Sequence, residues 1–420
     1  MKKIILSVFY LFSLHFSFGQ ISTMFTDDFS DSIHFNKIGI IADGAVNSNA
    51  VTNEFTSKFY RGGYISVDLK DRVLARMKNK NRLGADINYS LYGTFKLDSL
   101  FHKKNLSFFI ALKNREHFDV RFSKDLYKVG FYGNAIYAGK TASFNDFNLN
   151  LIRYQQVQVG IFSSKLDSAA RWGIGLSFLK GEQYLSVLAP KAQLFTSEDG
   201  QYIDFNTDFY IGQSDTLKKG LGAFNGYGSS VDIYFEAPFK TKFGDSKLKV
   251  AVSDIGFIKF NKQSITAHQD SLFHYSGFTI NSIYDLQDST LKNLNQDSII
   301  AGVVPMKKQS ISVTLPAVLN VSFETHFNNY FHLQEGVRYV YNANYSLMAY
   351  IKGNFYFTQH FMLSATFAYG GYGTYNYGLS VNAKLGKSIL LFAGSNNIEG
   401  IVVPKKTTGL SAFAGISCSF

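Results

Sequence analysis

The feature that most limits what this chain can fold into is a strict alternation of residue character. From Leu83 to Leu97, one face carries Leu83, Ala85, Ile87, Tyr89, Leu91, Gly93, Phe95 and Leu97; the other carries Gly84, Asp86, Asn88, Ser90, Tyr92, Thr94 and Lys96. A period of two held over 15 residues excludes a helix and is long for a strand, because ordinary strands average about 5–6 residues. The pattern returns downstream. Ile203, Phe205, Thr207, Phe209 and Ile211 oppose Asp204, Asn206, Asp208 and Tyr210, and Tyr375 to Leu385 alternates in the same way. The final run sets Leu410, Ala412, Ala414, Ile416, Cys418 and Phe420 against Gly409, Ser411, Phe413, Gly415, Ser417 and Ser419. Turn sequences such as Glu198-Asp199-Gly200 and Gly370-Gly371-Tyr372-Gly373 separate these runs.

Composition narrows the setting. Only 17% of the 420 residues are charged and 16% are aromatic, almost all Phe or Tyr, while five prolines leave few strand breakers. The single cysteine, Cys418, excludes an internal disulfide framework and a cysteine zinc site. Mean hydropathy is −0.04, and no apolar run beyond residue 16 is long enough for a spanning helix. Residues 1–19 read as a secretory signal peptide: Lys2 and Lys3, the apolar stretch Ile4 to Phe16, then Ser17-Phe18-Gly19 as the cleavage site. Export without disulfides fits a bacterial envelope protein stabilised by a closed sheet.

Counting back from Phe420 gives about sixteen candidate strands, many long enough to cross hydrocarbon at a tilt, which takes about 9–11 residues. The expected fold is therefore all-β, a transmembrane antiparallel barrel of about 14 (12–16) strands occupying residues 81–420. Its lumen-facing residues are expected to include Asp86, Asn88, Asp204, Asn206 and Asp208, and the terminal aromatic Phe420 is the expected assembly signal. Two stretches break the pattern. Residues 64–80 place Ile65, Leu69, Val73 and Met77 at four-residue spacing among basic residues, which predicts an amphipathic helix. It is assigned to an N-terminal periplasmic or plug-like segment, residues 20–80. Residues 281–308 read as a long connection, and Pro316 splits the run Ser310 to Thr325 by removing a ladder donor.

Several stretches resemble a Bacteroidota family of uncharacterised outer-membrane proteins. They are Asp125 to Thr141, Arg153 to Gly160, Ile174 to Gly181, Ser253 to Phe260 and the tail from Gly394 to Phe420. Phe260 stands where the family usually has Trp, and Asn36-Lys37-Ile38 lacks the Asn-Pro-Ala motif common near the start of such barrels. The family is similar to barrels of the long-chain fatty-acid channel type. That likeness implies fourteen strands, an N-terminal plug and an outer-membrane location.

No motif for chemistry survives inspection. HExxH, GxSxG and P-loop patterns are absent, and Gly220-Leu221-Gly222 lacks the third glycine of a dinucleotide fingerprint. His268, Asp270, Ser271 and His274 hold the parts of a hydrolase triad, but strand periodicity turns Ser271 away from the others. His326 and His332 flank a turn with no nearby cysteine or carboxylate cluster, a thin basis for a metal. No cofactor and no enzymatic activity are expected. The net charge of +11, to which the two leader lysines contribute, is scattered and points to anionic lipid or lipopolysaccharide rather than nucleic acid. Further expected partners are the barrel-assembly machinery and a protein partner of unknown identity. The leading functional expectation is passage of hydrophobic or small solutes. The alternative is a structural barrel anchoring a surface or secretion partner, and an envelope enzyme comes last.

Overall fold

The computed structural model describes residues 36–97, 105–163, 170–218, 220–276, 305–386 and 388–420. The signal peptide and most of the 281–308 connection lie outside the described residues. The strands in chain order are β1 (Lys37–Ser48), β2 (Lys80–Leu97), β3 (Leu106–Ser123), β4 (Lys140–Ser143), β5 (Phe147–Ser163), β6 (Arg171–Thr196), β7 (Ile203–Gln213), β8 (Gly226–Thr241), β9 (Gly244–Phe260) and β10 (Ile265–Tyr275). They continue with β11 (Met306–Lys308), β12 (Ile311–Thr314), β13 (Val318–Asn328), β14 (Phe331–Val340), β15 (Ser346–Thr358), β16 (Phe361–Gly371), β17 (Tyr375–Leu385), β18 (Ile389–Ser395) and β19 (Gly409–Ser419). Among the described residues four α-helices join them: α1 (Asn53–Arg61), α2 (Val67–Arg76), α3 (Lys124–Tyr132) and α4 (Ile398–Val402).

Fourteen strands form a closed antiparallel barrel. Around the wall they run β1, β2, β3, β5, β6, β8, β9, β13, β14, β15, β16, β17, β18 and β19. The last strand returns to the first, with Lys37 opposite Ser419 and Asn47 opposite Gly409. Closure removes every sheet edge from the wall, which is the one way a sheet can sit in hydrocarbon without orphaned backbone groups.

Side chains sort by the pleat. Ile40, Leu91, Leu112, Val157, Leu176 and Phe257 are exposed on the outer face. Their strand neighbours Ile41, Asn88, Ser90, Lys113, Gln156, Gln158, Ser177 and Ile258 are buried inside. Aromatic rings gather at both rims of the outer face. One rim carries Phe327, Phe331, Phe355, Phe357 and Phe361, and the other Tyr339, Tyr341, Tyr369, Tyr375 and Tyr377. An apolar band between two aromatic girdles is the surface a bilayer selects.

The two rims differ in their connections. β8–β9, β13–β14 and β15–β16 turn within a few residues at the end that also holds Lys37 and Ser419. The opposite, loop end carries all four helices. There α1 and α2 bridge β1 to β2, and α3 with β4 bridges β3 to β5. Each of these three helices is started by a hydroxyl cap: Thr52 accepts from the Phe55 amide, Ser66 from Leu69 and Ser123 from Leu126. Gly62 ends α1 in the left-handed region at φ 69°. Leu69, Val73 and Met77 are buried against Phe55 and Tyr127, and each such aliphatic side chain removed from water contributes about 1.5–3 kcal/mol. The apolar face of the four-residue spacing is buried in this cluster.

Three expectations are corrected here. The wall begins at Lys37, not near residue 81, because β1 pairs on both sides with β2 and β19. The amphipathic helix sits in the β1–β2 connection at the loop end, opposite the end that holds Lys37 and Ser419, where it packs on α1, α3, Leu83 and Phe122, and so is neither a plug in the lumen nor beside the turns. β7 is not a wall strand. β6 pairs β8 through Arg171–Gly181, parts from it near Glu182 while staying paired to β5 as far as Ala189, and pairs β7 through its distal half. β7 in turn pairs β10, forming a sheet that extends beyond the barrel. Pro316 falls between β12 and β13, as its missing donor requires.

The faces of β19 set a test. Ala414, at the middle of the strand, points outward, whereas Asn382 on β17 points inward and is only half-buried. Ala414→Arg is expected to lower the heat-modifiable folded fraction by the equivalent of about 2–4 kcal/mol, the cost of a cation on a lipid face at mid-depth. Asn382→Arg is expected to fold as the parent does. Equal tolerance of both would contradict the assignment of outer and inner faces.

Candidate functional site: the lumen and its loop-end mouth

The inner face of β3 carries Lys113, Arg115, His117 and Asp119 at every second position. A wall strand can bury such a row only if other strands answer each charge, and they do. Lys113 Nζ lies 3.5 Å from Asp232 Oδ2, with both side chains almost fully buried. Arg115 Nη2 lies 3.7 Å from Asp254 Oδ2. Amides add to these pairs. Gln158 donates to Asp232 at 2.7 Å, Gln156 to Asp254 at 3.3 Å, and the Asp254 backbone N–H to Asp232 at 2.8 Å. Beside this layer Asn88 donates to Asp43 at 2.9 Å. The lumen at mid-height is thus filled by paired charges and amides.

A second layer closes the loop-end mouth. His117 sits between two carboxylates, its Nδ1 2.7 Å from Asp86 Oδ1 and its Nε2 2.9 Å from Asp119 Oδ2. The β16–β17 turn brings the Tyr372 hydroxyl to 3.3 Å from His117 Nε2. The β14–β15 turn brings in Asn344, whose side-chain amide and backbone N–H both donate to Asp119. Tyr345 stands edge-on to Tyr372, centroids 4.9 Å apart. In the order of the wall, β3 and the β14–β15 turn lie on opposite sides, so Asp119–Asn344 spans the barrel. A left-handed turn makes the inward fold feasible: Gly370 and Gly371 have φ of 109° and 73°.

Outside this layer a cavity of about 200 Å³ opens at the mouth. Ile152, Tyr184, Leu188, Val313 and Pro316 supply an apolar side, and His117, Asn148, Asn150, Ser186 and Asn342 a polar side. An apolar cluster of Leu179, Ile258, Phe260 and Leu315 backs it, and Phe260 stacks on Tyr184 at 5.6 Å. The pocket is small, below the roughly 300–1,000 Å³ of drug-sized sites.

A family model matches residues 32–396. The chain belongs to the family of unknown function DUF5723. Comparison with curated proteins finds no match. Among solved structures, this DUF5723 chain is similar to the TodX monoaromatic hydrocarbon channel in its deltaS2S3 mutant form, at 9% identity and TM-score 0.45, covering 92% of this chain and 91% of that one. It is similar to the toluene transporter TbuX of Ralstonia pickettii at 9% identity and TM-score 0.41, covering 92% and 89%. A FadL homologue of Pseudomonas aeruginosa gives 9% identity and TM-score 0.40, covering 92% and 90%.

Of the residues expected in the lumen, Asp86 and Asn88 lie on the inner face of β2, in the two layers just described. Asp204, Asn206 and Asp208 lie together on β7, in the sheet beyond the wall, where Asp208 meets His268 at 3.0 Å and Asp204 meets His274 at 2.6 Å. Those pairings separate the histidines of the would-be triad, and Ser271 bonds to Gln269 and to the Asp270 carbonyl. Phe420 is exposed at the turn end, its N–H donating to the Asn36 carbonyl at 3.1 Å. The β3 row and its partners were not expected, although charges at 113, 115, 117 and 119 on one strand face were a readable signal.

The mid-height layer predicts a non-additive pair. Lys113→Met strands Asp232 and is expected to cost about 3–5 kcal/mol in urea unfolding from vesicles. Adding Asp232→Leu should cost clearly less than the sum of the single changes, because the second substitution removes the stranded charge. Additive costs would contradict a direct Lys113–Asp232 pair.

Proposed function

We propose that this DUF5723 chain is an outer-membrane barrel for passage of small solutes, held shut in this conformation by side chains of the wall and its turns. The observation that carries the reading is that His117 does two things. It lines the mouth cavity and is also the centre of the layer that closes the lumen beneath it. A solute settling in the pocket would touch the closing contacts directly. The short turns, with Lys37 and Ser419, would face the periplasm and the helical loop end the exterior, as in barrels that cross outer membranes. The polar interior favours hydrophilic or amphipathic solutes over purely hydrophobic ones, because an apolar molecule crossing it would have to desolvate paired charges.

The second reading is an anchoring barrel that passes nothing. It is favoured by the depth of the filling, since ion pairs occupy the lumen at mid-height and at both ends. Purified protein in planar bilayers separates the two. The parent is expected to conduct poorly, whereas Tyr372→Ala and Asn344→Ala, which remove the cross-mouth contacts without stranding a charge on the loops, should raise conductance and solute flux. Folded variants as impermeable as the parent would overturn the passage reading in favour of the anchor.

A further inference from the structure

At the turn end the inner face carries a third group, whose two histidines neither function above uses. Glu324 and His326 are two apart on β13 and share its inner face, and His332 on β14 stands directly opposite His326 in the register. His326 Nε2 lies 3.1 Å from Glu324 Oε1, and His332 Nδ1 lies 3.7 Å from the same oxygen. The two imidazoles are stacked with centroids 3.7 Å apart and planes 3° from parallel. His332 Nδ1 is buried and has no hydrogen-bond partner among the described residues. The one donor atom from each of the three residues falls within 4.8 Å of the others. Lys249 Nζ sits 2.5 Å from the other carboxylate oxygen, Oε2, and so fixes the carboxylate while leaving Oε1 to face the histidines. The carboxylate that was missing from the sequence reading of His326 and His332 is supplied two residues before the turn-side histidine.

We propose that Glu324, His326 and His332 form a binding site for a divalent transition-metal ion of borderline softness, such as zinc, at the turn-end mouth of the lumen. Two imidazoles and one carboxylate are the donor set of open three-ligand zinc sites. Metal–ligand distances of about 2.0–2.2 Å require donors closer together than the outer limit seen here. Oε1 already lies 3.1 and 3.7 Å from the two nitrogens, close to the roughly 3.3–3.6 Å that separates donors in a tetrahedral site, so a modest rotation of the stacked rings about their terminal torsions need only aim both nitrogens at one point. Such rotation is inexpensive because those torsions are broad. Lys249 holds the far oxygen, the role that outer partners play for metal-binding carboxylates. A hard ion such as magnesium, which favours oxygen ligands, would not suit the two nitrogens. The site stands apart from the mouth layer and holds whether or not the barrel conducts.

The test is zinc retention by the full chain folded in detergent, freed of metal by chelator, loaded with zinc chloride and desalted. A single zinc ion per folded chain is expected, with magnesium not retained. His326→Gln and His332→Gln should each weaken zinc binding about 10-fold or more, with folding checked by heat-modifiable mobility. On the unmutated chain, bound cobalt should give visible d–d bands, and these should be lost on adding zinc. Should a variant fail to fold, this cobalt signal decides alone. Absence of cobalt bands and of retained zinc on the parent, or folded histidine variants that bind zinc as tightly as the parent, would overturn the site.

Discussion

The seam between β1 and β19 is the contact on which the rest of the molecule depends. Once Lys37–Asn47 pairs with Gly409–Ser419, the wall has no edge, and every residue on a strand must face either the outside or a space bounded on all sides. Aliphatic and aromatic side chains take the outside. The polar remainder is confined to the lumen, where it must be hydrogen-bonded by water or by itself. In this barrel it is largely bonded by itself.

That outcome explains why charges recur at two-residue spacing on β3. Lys113 and Arg115 find Asp232 and Asp254 on strands further round the wall, while His117 and Asp119 meet turns arriving from the far side. Buried pairs of this kind contribute little net stability compared with apolar packing, but leaving one partner alone is costly. A filled polar lumen therefore favours one arrangement of side chains without making the barrel much more stable. The Tyr372 and Asn344 contacts are made by turns, so exchanging them for water does not require unfolding the wall.

Much of this was legible in the sequence, and the rest has identifiable reasons. The alternation of Leu83 to Leu97 gave the faces of β2, including Asp86 and Asn88 inward. Leu69, Val73 and Met77 marked the buried face of α2, and Pro316 marked the break between β12 and β13. β1 was hidden because small residues, Gly39, Ala42, Gly44 and Ala45, blur its pattern. β7 was misplaced because period two reports a pleated, two-faced strand and not which sheet the strand joins. A strand in the extension beyond the wall alternates just as one in the wall does. Cross-barrel contacts such as Asp119–Asn344 join residues far apart in the chain, and no local pattern encodes them.

Solvent access at mid-height tests the filled lumen most directly. Ser230 lies on the inner face of β8, buried, with its hydroxyl 3.4 Å from Gln156 Nε2. In a Cys418→Ser background, Ser230→Cys can be challenged in intact vesicles with a charged, membrane-impermeant thiol reagent applied to either side. A lumen filled as described predicts no labelling until the barrel is unfolded. Rapid labelling of the folded barrel from either side would contradict it and reveal an open aqueous pore.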